Sequence, residues 1–427
     1  MALIKCTECG QEISDAAEAC PKCGAPQDLA ARPVKCPDCG TMVPGTADAC
    51  PKCGRPIERT TMAKNFGGAM GSSLSKLTGG IKVKGKVTAS DIFRDLFKKH
   101  RTEDVEDTFT KGTKYNPVDV KKITSADASA WAWSRVLLVF LALVAIFAIG
   151  YLAIKVTTLV GGFIFACAFA LPLAMVVFFH EIDILHNITF HKTLLYFLIG
   201  GAAAIIITVF ESQVFKMNSN DLIWQCLLIS LTEEVAKTLI IAGIISVDKK
   251  ANYILDGLLI GSAVGAGFAG FETMGYLAMA GSTNQMTSMA FQRAILSLGM
   301  HLAWGALEGA GIMMAKGYKK RFSWSNLASV QVLVAFMIPF LFHWLWDVVA
   351  MNTGTNASND DWVPYVLTLV IWVPIIYTMN IGFAQAIEAK NYYLNLATVA
   401  AANQAEKVAD AKKSEKATKK TEKKVAK

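Results

Sequence analysis

The chain has 427 residues, of which 53% are hydrophobic and only 18% charged, and its formal net charge is +8. This composition is too apolar for a single soluble globular protein, although both ends of the chain are polar. It therefore excludes an entirely soluble enzyme and predicts a polytopic membrane protein with soluble flanking segments.

A cysteine pattern is repeated in the first 56 residues with a period of 30 residues, so that Cys36 repeats Cys6. Each copy reads C-x2-C-x10-C-x2-C, which supplies four thiolates for one tetrahedral zinc ion. Closed four-cysteine sites leave no coordination position for a substrate, so we expect two structural zinc ions. A disulfide framework is disfavoured because we expect this segment to lie in the reducing cytoplasm. The predicted ligands are Cys6, Cys9, Cys20, Cys23, Cys36, Cys39, Cys50 and Cys53.

These patterns divide the chain into five segments. Residues 1–30 and 31–58 are predicted zinc ribbons, and residues 59–130 a flexible linker, because glycine is frequent between Gly67 and Gly80. Within the linker, Ser90 to Lys99 is predicted to form a short amphipathic helix. Residues 131–390 are the predicted transmembrane domain, and residues 391–427 a lysine-rich tail. Nucleic-acid binding is not expected, because no aromatic or groove-reading feature accompanies the basic residues.

Apolar runs of about 20 residues predict eight transmembrane helices. We therefore expect an all-α polytopic membrane protein preceded by two small zinc ribbons. Lysine and arginine concentrate in alternate connections, which predicts a plasma-membrane protein with both termini in the cytoplasm. The predicted spans are Val136–Ile154, Val156–Phe179, Thr193–Phe210, Leu222–Val247, Ile254–Gly281, Met289–Ala315, Leu327–Met351 and Val363–Ile387.

Several of these spans contain ionisable residues, each of which costs about 2.5 to 3.5 kcal/mol to hold in hydrocarbon. They are Glu233, Glu234 and Lys237, then Glu272, then His301, then His343. At about 1.5 Å per helical residue, these residues lie about 12 to 18 Å from the outer end of their spans, on four successive helices. Scattered structural residues would have no reason to share a depth, so we predict one functional site.

The spacing within each helix adds detail to this site. Glu233 and Lys237 are four residues apart, which predicts that Lys237 neutralises one of the carboxylates. His343 and Asp347 have the same spacing. Gly257, Gly261 and Gly265 form a ridge of small residues that predicts a close helix contact. Taken singly, each polar residue also has a structural interpretation, such as a hydrogen bond between helices or a buried ion pair.

The ordered motifs resemble those of the PrsW-type intramembrane proteases, which are distantly similar to the CAAX prenyl endopeptidases. The resemblance covers Asp221 to Met351. Its motifs are Glu233-Glu234-x-x-Lys237, Asp256-Gly257 with Gly265-x-Gly267-Phe268-Ala269-x-x-Glu272-x-x-x-Tyr276, Arg293 with His301, and His343-x-x-Trp346-Asp347. It implies a multispan endopeptidase in which glutamate-activated water cuts a membrane-embedded protein substrate.

The resemblance also implies roles for individual residues. Glu233 matches the water-activating glutamate, Glu234 its partner and Glu272 the second-motif position, while His301 and His343 match the two histidine positions. Lys237, Arg293 and Asp347 are supporting residues. Asp347 stands where related enzymes often have asparagine; because an aspartate donates a hydrogen bond only when protonated, its alternative task is to orient His343.

The residues do not decide whether catalysis uses a metal ion, because side chains of the kinds that bind zinc are present. These are Glu233, Glu272, His301 and His343. We favour glutamate and water, because the spans lack a His-Glu-x-x-His pair and Lys237 would oppose a cation. Two other functions stay open: a proton- or ion-coupled transporter, and an inactive membrane scaffold. In either of these functions the ribbons would be a docking module for a protein partner. The substrate of a protease would be a membrane protein, such as a single-span one.

Overall fold

The structure is a computed structural model. It describes residues 87–214, 221–352 and 362–395, short pieces at 3–5, 12–14, 34–35 and 41–43, and the single positions 52, 398 and 404. The chain divides into two compact units. The first comprises Met1–Ser72 with Tyr392–Lys427, and the second Ser73–Asn391.

Two short antiparallel hairpins are described in the first unit. Strand β1 (Leu3–Lys5) pairs with β2 (Glu12–Ser14), and β3 (Val34–Lys35) pairs with β4 (Met42–Val43). Each hairpin encloses the first Cys-x-x-Cys pair of its repeat, which is the arrangement expected of a zinc ribbon. All eight predicted cysteine ligands lie outside the described residues, so the zinc geometry stays a prediction.

The second unit is helical. Its helices are α1 (Ala89–Ile92), α2 (Thr102–Thr110), α3 (Ala132–Ala148), α4 (Val160–Ile182), α5 (Phe190–Val214), α6 (Leu222–Val247), α7 (Ile254–Ala278), α8 (Thr283–Leu296), α9 (His301–Lys316), α10 (Val330–Asn352) and α11 (Val363–Val370). After a turn at Ile371, residues 372–395 are again helical. The predicted all-α class of the membrane domain is confirmed by the described residues of this unit.

Within the described residues, six helices are long and apolar enough to cross a membrane. They are Ala132–Ala153, Thr157–Ile182, Phe190–Glu211, Ile254–Ala278, Val330–Ala350 and Val363–Asn395. Helix α6 has sufficient length, but Glu233, Glu234 and Lys237 lie near its middle and lower its hydropathy. The predicted total of eight spans is therefore not confirmed.

The predicted sixth span, Met289–Ala315, is wrong as a single helix. A 3-10 turn at Ser297–Gly299 separates α8 from α9, and Met300 has a non-helical backbone with φ −101° and ψ −142°. Gly299 packs so closely on Thr368 that a side chain there would overlap it. As a result His301 begins a helix, and its depth cannot be calculated from a straight span.

Residues 87–130 differ from the flexible linker that composition predicts. Val87, Ile92, Ile123 and Ala128 are buried. The predicted amphipathic segment is helical only over Ala89–Ile92, whereas Phe97 is 95% exposed. This segment therefore packs in part on the membrane domain, while the glycine-rich stretch between residues 67 and 80 lies outside the described residues.

Charged anchors hold segments outside the spans to the helices. The carboxylate of Glu181 on α4 accepts hydrogen bonds from the backbone N–H groups of residues 131, 132 and 133, at 2.8, 2.7 and 3.0 Å, where α3 begins. Asp248, which follows α6, accepts from Lys192 Nζ at 2.6 Å and from Tyr196 Oη at 2.5 Å. Burial raises the pKa of Asp248, but these bonds outweigh burial and the net pKa is lowered.

Helix α7 is the most enclosed membrane helix, because α9 and α5 pack on opposite faces of it through glycines. A methyl group on Gly261 would overlap the carbonyl oxygen of Gly305, and one on Gly265 would overlap that of His301. On the other face, Gly267 lies against the backbone of Phe197 on α5. The glycine ridge thus makes the close helix contact predicted from sequence, and it brings α7 against the start of α9.

Candidate functional site

The predicted ionisable residues converge from four helices into one buried cluster. Helix α6 supplies Glu233, Glu234 and Lys237, α7 supplies Glu272, α9 begins with His301, and α10 supplies His343. Glu234 and Lys237 are 0% exposed, His301 is 1% exposed and His343 3% exposed. Such burial of charge is costly unless the groups neutralise one another.

Glu234 is the anchor of α6. Its Oε1 accepts a hydrogen bond from Lys237 Nζ at 2.5 Å and one from His343 Nδ1 at 2.6 Å. Lys237 thus neutralises one of the two carboxylates, as predicted, and the carboxylate is that of Glu234, three residues before it. Glu233 is left free to face the histidines, while Glu234 holds α10 against α6.

His301 bridges α6 and α7. Its Nε2 lies 2.7 Å from Glu272 Oε2, and its Nδ1 lies 2.8 Å from Lys237 Nζ. Because an ammonium group only donates, Nδ1 must accept, so the ring proton resides on Nε2 and is donated to Glu272. Because a carboxylate only accepts, His343 donates from Nδ1 to Glu234. The two rings therefore direct a lone pair, at His301 Nδ1 and His343 Nε2, toward the centre of the site.

Glu233 occupies that centre. Its Oε2 lies 3.7 Å from His301 Nδ1 and 3.7 Å from His343 Nε2, and it has no hydrogen-bond partner. One donor atom from each of Glu233, His301 and His343 lies within 4.8 Å of the others. Over the described ranges no other group of His, Cys, Asp and Glu side chains meets this criterion for an ion site. Glu272, predicted as an alternative ligand, instead accepts a hydrogen bond from Nε2 of His301, whereas Nδ1 of that ring is the nitrogen nearer Glu233.

Arg293 on α8 fixes Glu272. Its Nη2 lies 3.2 Å from Glu272 Oε2, its Nε donates to Thr273 Oγ1 at 2.9 Å, and its guanidinium lies 4.5 Å from the ring centre of Tyr276. These contacts neutralise a carboxylate that is only 12% exposed. Arg293 therefore acts through Glu272 on the orientation of His301.

Aromatic rings surround the two histidines. Trp304 stacks on His343 with ring centres 4.5 Å apart, and Phe268 lies 5.0 Å from His301. Lys237 Nζ lies 4.9 Å from the ring centre of Phe268 and 5.2 Å from that of Trp304. These rings hold the histidines in place and exclude water, which strengthens the electrostatic interactions within the site.

Asp347 lies on the same face of α10 as His343, as its spacing predicts. Its Oδ2 is 3.4 Å from His343 Nε2 and has no hydrogen-bond partner. This position suits orientation of the imidazole or contact with a bound group.

Glu211 on α5 is a buried carboxylate that is not among the intramembrane residues predicted from the sequence. It is 8% exposed, and its Oε1 has no hydrogen-bond partner among the described residues. The predicted third span ends at Phe210, one residue before Glu211. Extending that span by one residue would have added Glu211 to the intramembrane set.

Comparison with known proteins gives two matches to family models. Residues 189–379 match the PrsW family intramembrane metalloproteases, and residues 6–54 match the double zinc ribbon. The resemblance predicted over Asp221 to Met351 is thereby confirmed and extends further in both directions. The matches support an intramembrane protease with an amino-terminal zinc-binding module.

Two curated relatives are similar to this chain, and each is named Protease PrsW. The protein from Clostridioides difficile (strain 630) is 26% identical over 191 residues, which is 44% of this chain and 75% of the relative. The protein from Oceanobacillus iheyensis is 24% identical over 152 residues, 36% of this chain and 64% of the relative. No solved structure matches the chain.

Proposed function

We propose that this chain, which carries a PrsW-type protease domain, is an endopeptidase that hydrolyses a peptide bond of a membrane-embedded protein. The observation that carries the proposal is the convergence of Glu233, His301 and His343, whose donor atoms lie within 4.8 Å of one another inside the helix bundle. A free carboxylate oxygen facing two oriented imidazoles is suited to activating water or to binding a cation that does so.

The three residues fit a divalent metal ion such as zinc. Two imidazole nitrogens and one carboxylate oxygen are ligand types that zinc accepts in catalytic sites, with a fourth position open. Each histidine has a carboxylate on its second nitrogen, Glu272 for His301 and Glu234 for His343, an arrangement that orients metal-binding histidines. Glu233 Oε2 has no competing hydrogen bond. We therefore propose these three residues as the ligands.

A metal ion bound there would polarise the scissile carbonyl and make a water molecule acidic enough to attack it at neutral pH. The chain's own groups would hold the geometry: Glu234 and Glu272 fix the two rings, and Arg293 fixes Glu272. Lys237 donates to Glu234 as well as to His301, so it keeps a partner if it releases His301. Asp347, beside His343 Nε2, is placed to contact the attacking water or the departing amine.

A second mechanism, glutamate-activated water without a metal, is favoured by one contact. Lys237 Nζ lies 2.8 Å from His301 Nδ1, where it occupies the lone pair that a metal would need. In this mechanism Glu233 takes the proton from water, and the buried cation of Lys237 stabilises the carboxylates around it. Both mechanisms require Glu233, so its substitution alone does not distinguish them.

The number of zinc ions bound per full-length chain distinguishes the metal mechanism from the glutamate mechanism. We expect three zinc ions per chain, two in the ribbons and one in the membrane site, and two ions in Glu233→Gln, His301→Ala and His343→Ala. Cleavage of a single-span membrane reporter should fall on the order of 10² to 10⁴-fold in the same variants. His191→Ala is the matched control, because His191 belongs to α5 but makes its hydrogen bond with Thr189, outside the site.

The zinc contents and cleavage rates distinguish the two mechanisms from each other and from the alternative functions. An equal zinc content in the wild type and all three site variants, with full activity in chelator, would establish the glutamate mechanism. Undiminished cleavage by Glu233→Gln would refute both mechanisms. A transporter or an inactive scaffold, the alternatives left open by the sequence, would cleave no reporter in any form.

We further propose that the ribbons bind two structural zinc ions and dock a protein partner, and that both termini lie on the cytoplasmic side of the plasma membrane. The repeated cysteine pattern and the lysine-rich connections support these assignments.

A further inference from the structure

An exposed aromatic side chain lies in the segment that precedes the first membrane helix. Phe97 is 95% exposed. Arg135, three residues after the start of α3, donates from Nη1 to the carbonyl oxygen of Leu96 at 2.5 Å and from Nη2 to that of Lys98 at 2.9 Å. These two hydrogen bonds hold the backbone on both sides of Phe97. The exposure of its ring is therefore a fixed feature of the fold.

Contacts with α3 and α4 give the level of Phe97 along the membrane helices. Arg135 belongs to the first turn of a helix that is long and apolar enough to cross the membrane. Phe93, four residues before Phe97, stacks on Phe178 with ring centres 6.1 Å apart, and Phe178 lies four residues before the end of the next such helix. Two helices thus place this segment at the ends of the spans, where lipid headgroups meet the acyl chains.

The residues around Phe97 are mostly basic. Residues 94–101 include four basic residues, all exposed, and one acidic residue, Asp95, which gives a net charge of +3 with His100 neutral. Asp95 is paired with Lys98. Anionic lipids attract basic clusters at a membrane surface, and aromatic rings are stabilised at the level of the headgroups. The segment therefore combines the two features that bind a polypeptide to a lipid surface.

We propose that residues 93–101 bind the surface of the bilayer that surrounds the protein. The ring of Phe97 inserts between lipids at the headgroup level, and Lys99 and Arg101 contact anionic headgroups. Because this attraction depends on negative charge, the anionic lipid content of the membrane sets how firmly the segment is held. The inference is independent of the proposed protease function, since it concerns the lipid and not the substrate.

The test uses purified full-length protein in nanodiscs of phosphatidylcholine and phosphatidylglycerol in equal amounts, with Phe97 replaced by the photoreactive p-benzoylphenylalanine. On irradiation we expect mainly lipid cross-links, with phosphatidylglycerol favoured on the order of threefold or more. Tyr115 is the matched control position. It is 83% exposed, and Gly112 in the same loop packs on the backbone of His186, beyond the end of α4. The same probe at Tyr115 should give several-fold less lipid product.

Removal of basic side chains separates insertion of the ring from attraction by charge. In the double variant Lys99→Gln with Arg101→Gln, the preference for phosphatidylglycerol at position 97 should be lost, while the total lipid product stays. Added salt should weaken the preference in the same way. Lys114→Gln is the control, because Lys114 lies over the ring of Tyr115, 4.7 Å from its centre. The preference at position 97 should be unchanged in it.

Three results would overturn the inference. The first is equal lipid product from the probes at positions 97 and 115. The second is a cross-link from position 97 to residues 1–58 or to a second copy of the chain, which would assign Phe97 to a protein contact. The third is a preference for phosphatidylglycerol that survives in the double variant.

Trypsin cleavage of the unmodified protein decides the question even if a labelled variant does not accumulate. Cleavage after Lys99 should be slower in nanodiscs that contain phosphatidylglycerol than in phosphatidylcholine alone, because anionic headgroups cover this residue. Cleavage after Lys114 should proceed at the same rate in both lipids. Equal rates after Lys99 in the two lipids would refute the contact with anionic lipid.

Discussion

Substitution of Gly265 by alanine tests whether helix packing sets the position of His301. Gly265 on α7 faces the start of α9, and a methyl group on it would overlap the carbonyl oxygen of His301. The obstacle is backbone, which cannot rotate away, so α7 and α9 must separate. Overpacking of this kind costs about 1 to 3 kcal/mol, against a gain of up to about 1 kcal/mol from the higher helix propensity of alanine.

The functional effect should exceed the effect on stability. His301 lies 2.7 Å from Glu272 and 3.7 Å from Glu233, and misplacing a catalytic group by about 1 Å costs about 10²-fold in rate. We therefore expect Gly265→Ala to fold, with a small fall in unfolding temperature, and to cleave a membrane reporter about 10 to 10² times more slowly. Zinc binding at the membrane site should weaken with it.

Gly275→Ala is the matched control. Gly275 belongs to the same helix, and a methyl group there would meet no atom within 4 Å. Its cleavage rate should equal that of the wild type. If Gly265→Ala and Gly275→Ala cleave the reporter equally fast, the close contact of α7 and α9 does not position His301, and the reasoning is refuted.

Three further predictions concern parts of the chain outside this contact. Residues 1–60, expressed alone, should bind two zinc ions and lose their structure in chelator, because zinc binding supplies the folding free energy of such small units, about 10 kcal/mol or more; an ordered metal-free segment would contradict the ribbon assignment. Reporter fusions after Lys250 and Lys320 should read as cytoplasmic and one at Asn356 as external, whereas an external signal at Lys320 would invert the topology. The lowered pKa of Asp248 means that its contribution to stability is present above the ordinary value of 3.8 and is lost as the pH falls through the lowered pKa; the wild type should therefore unfold at a higher temperature than Asp248→Asn at pH 7, and the difference should shrink in acid.

Much of the architecture was predictable because a bilayer imposes strong local constraints. Apolar runs in a bilayer must form their backbone hydrogen bonds within the segment, as a helix does, so the positions of the helices follow from composition. Helices α4, α5, α7 and α10 accordingly lie close to the predicted spans. The cost of charge in hydrocarbon singled out Glu233, Glu272 and His343 as candidate site residues, and the structure brings them into one cluster. The glycine ridge was readable because small residues recur every four positions on one helix face.

Other features depended on contacts between segments distant in the chain. The choice of Glu234 rather than Glu233 as partner of Lys237 follows from the approach of His343, whose Nδ1 shares the same carboxylate oxygen. The break before His301 follows from the packing of Gly299 on Thr368. Neither neighbour can be inferred from local spacing.

The sequence by itself determined the membrane class, the repeated cysteine pattern and the candidate ionisable residues that meet in the cluster, because composition, spacing and the cost of burying charge act locally. Only the tertiary structure decided which atoms face one another. It placed Glu233 between two imidazoles whose orientation comes from Glu234 and Glu272. Hydrogen-bond partners depend on how helices cross, and helix crossing is a property of the packed bundle rather than of any one segment.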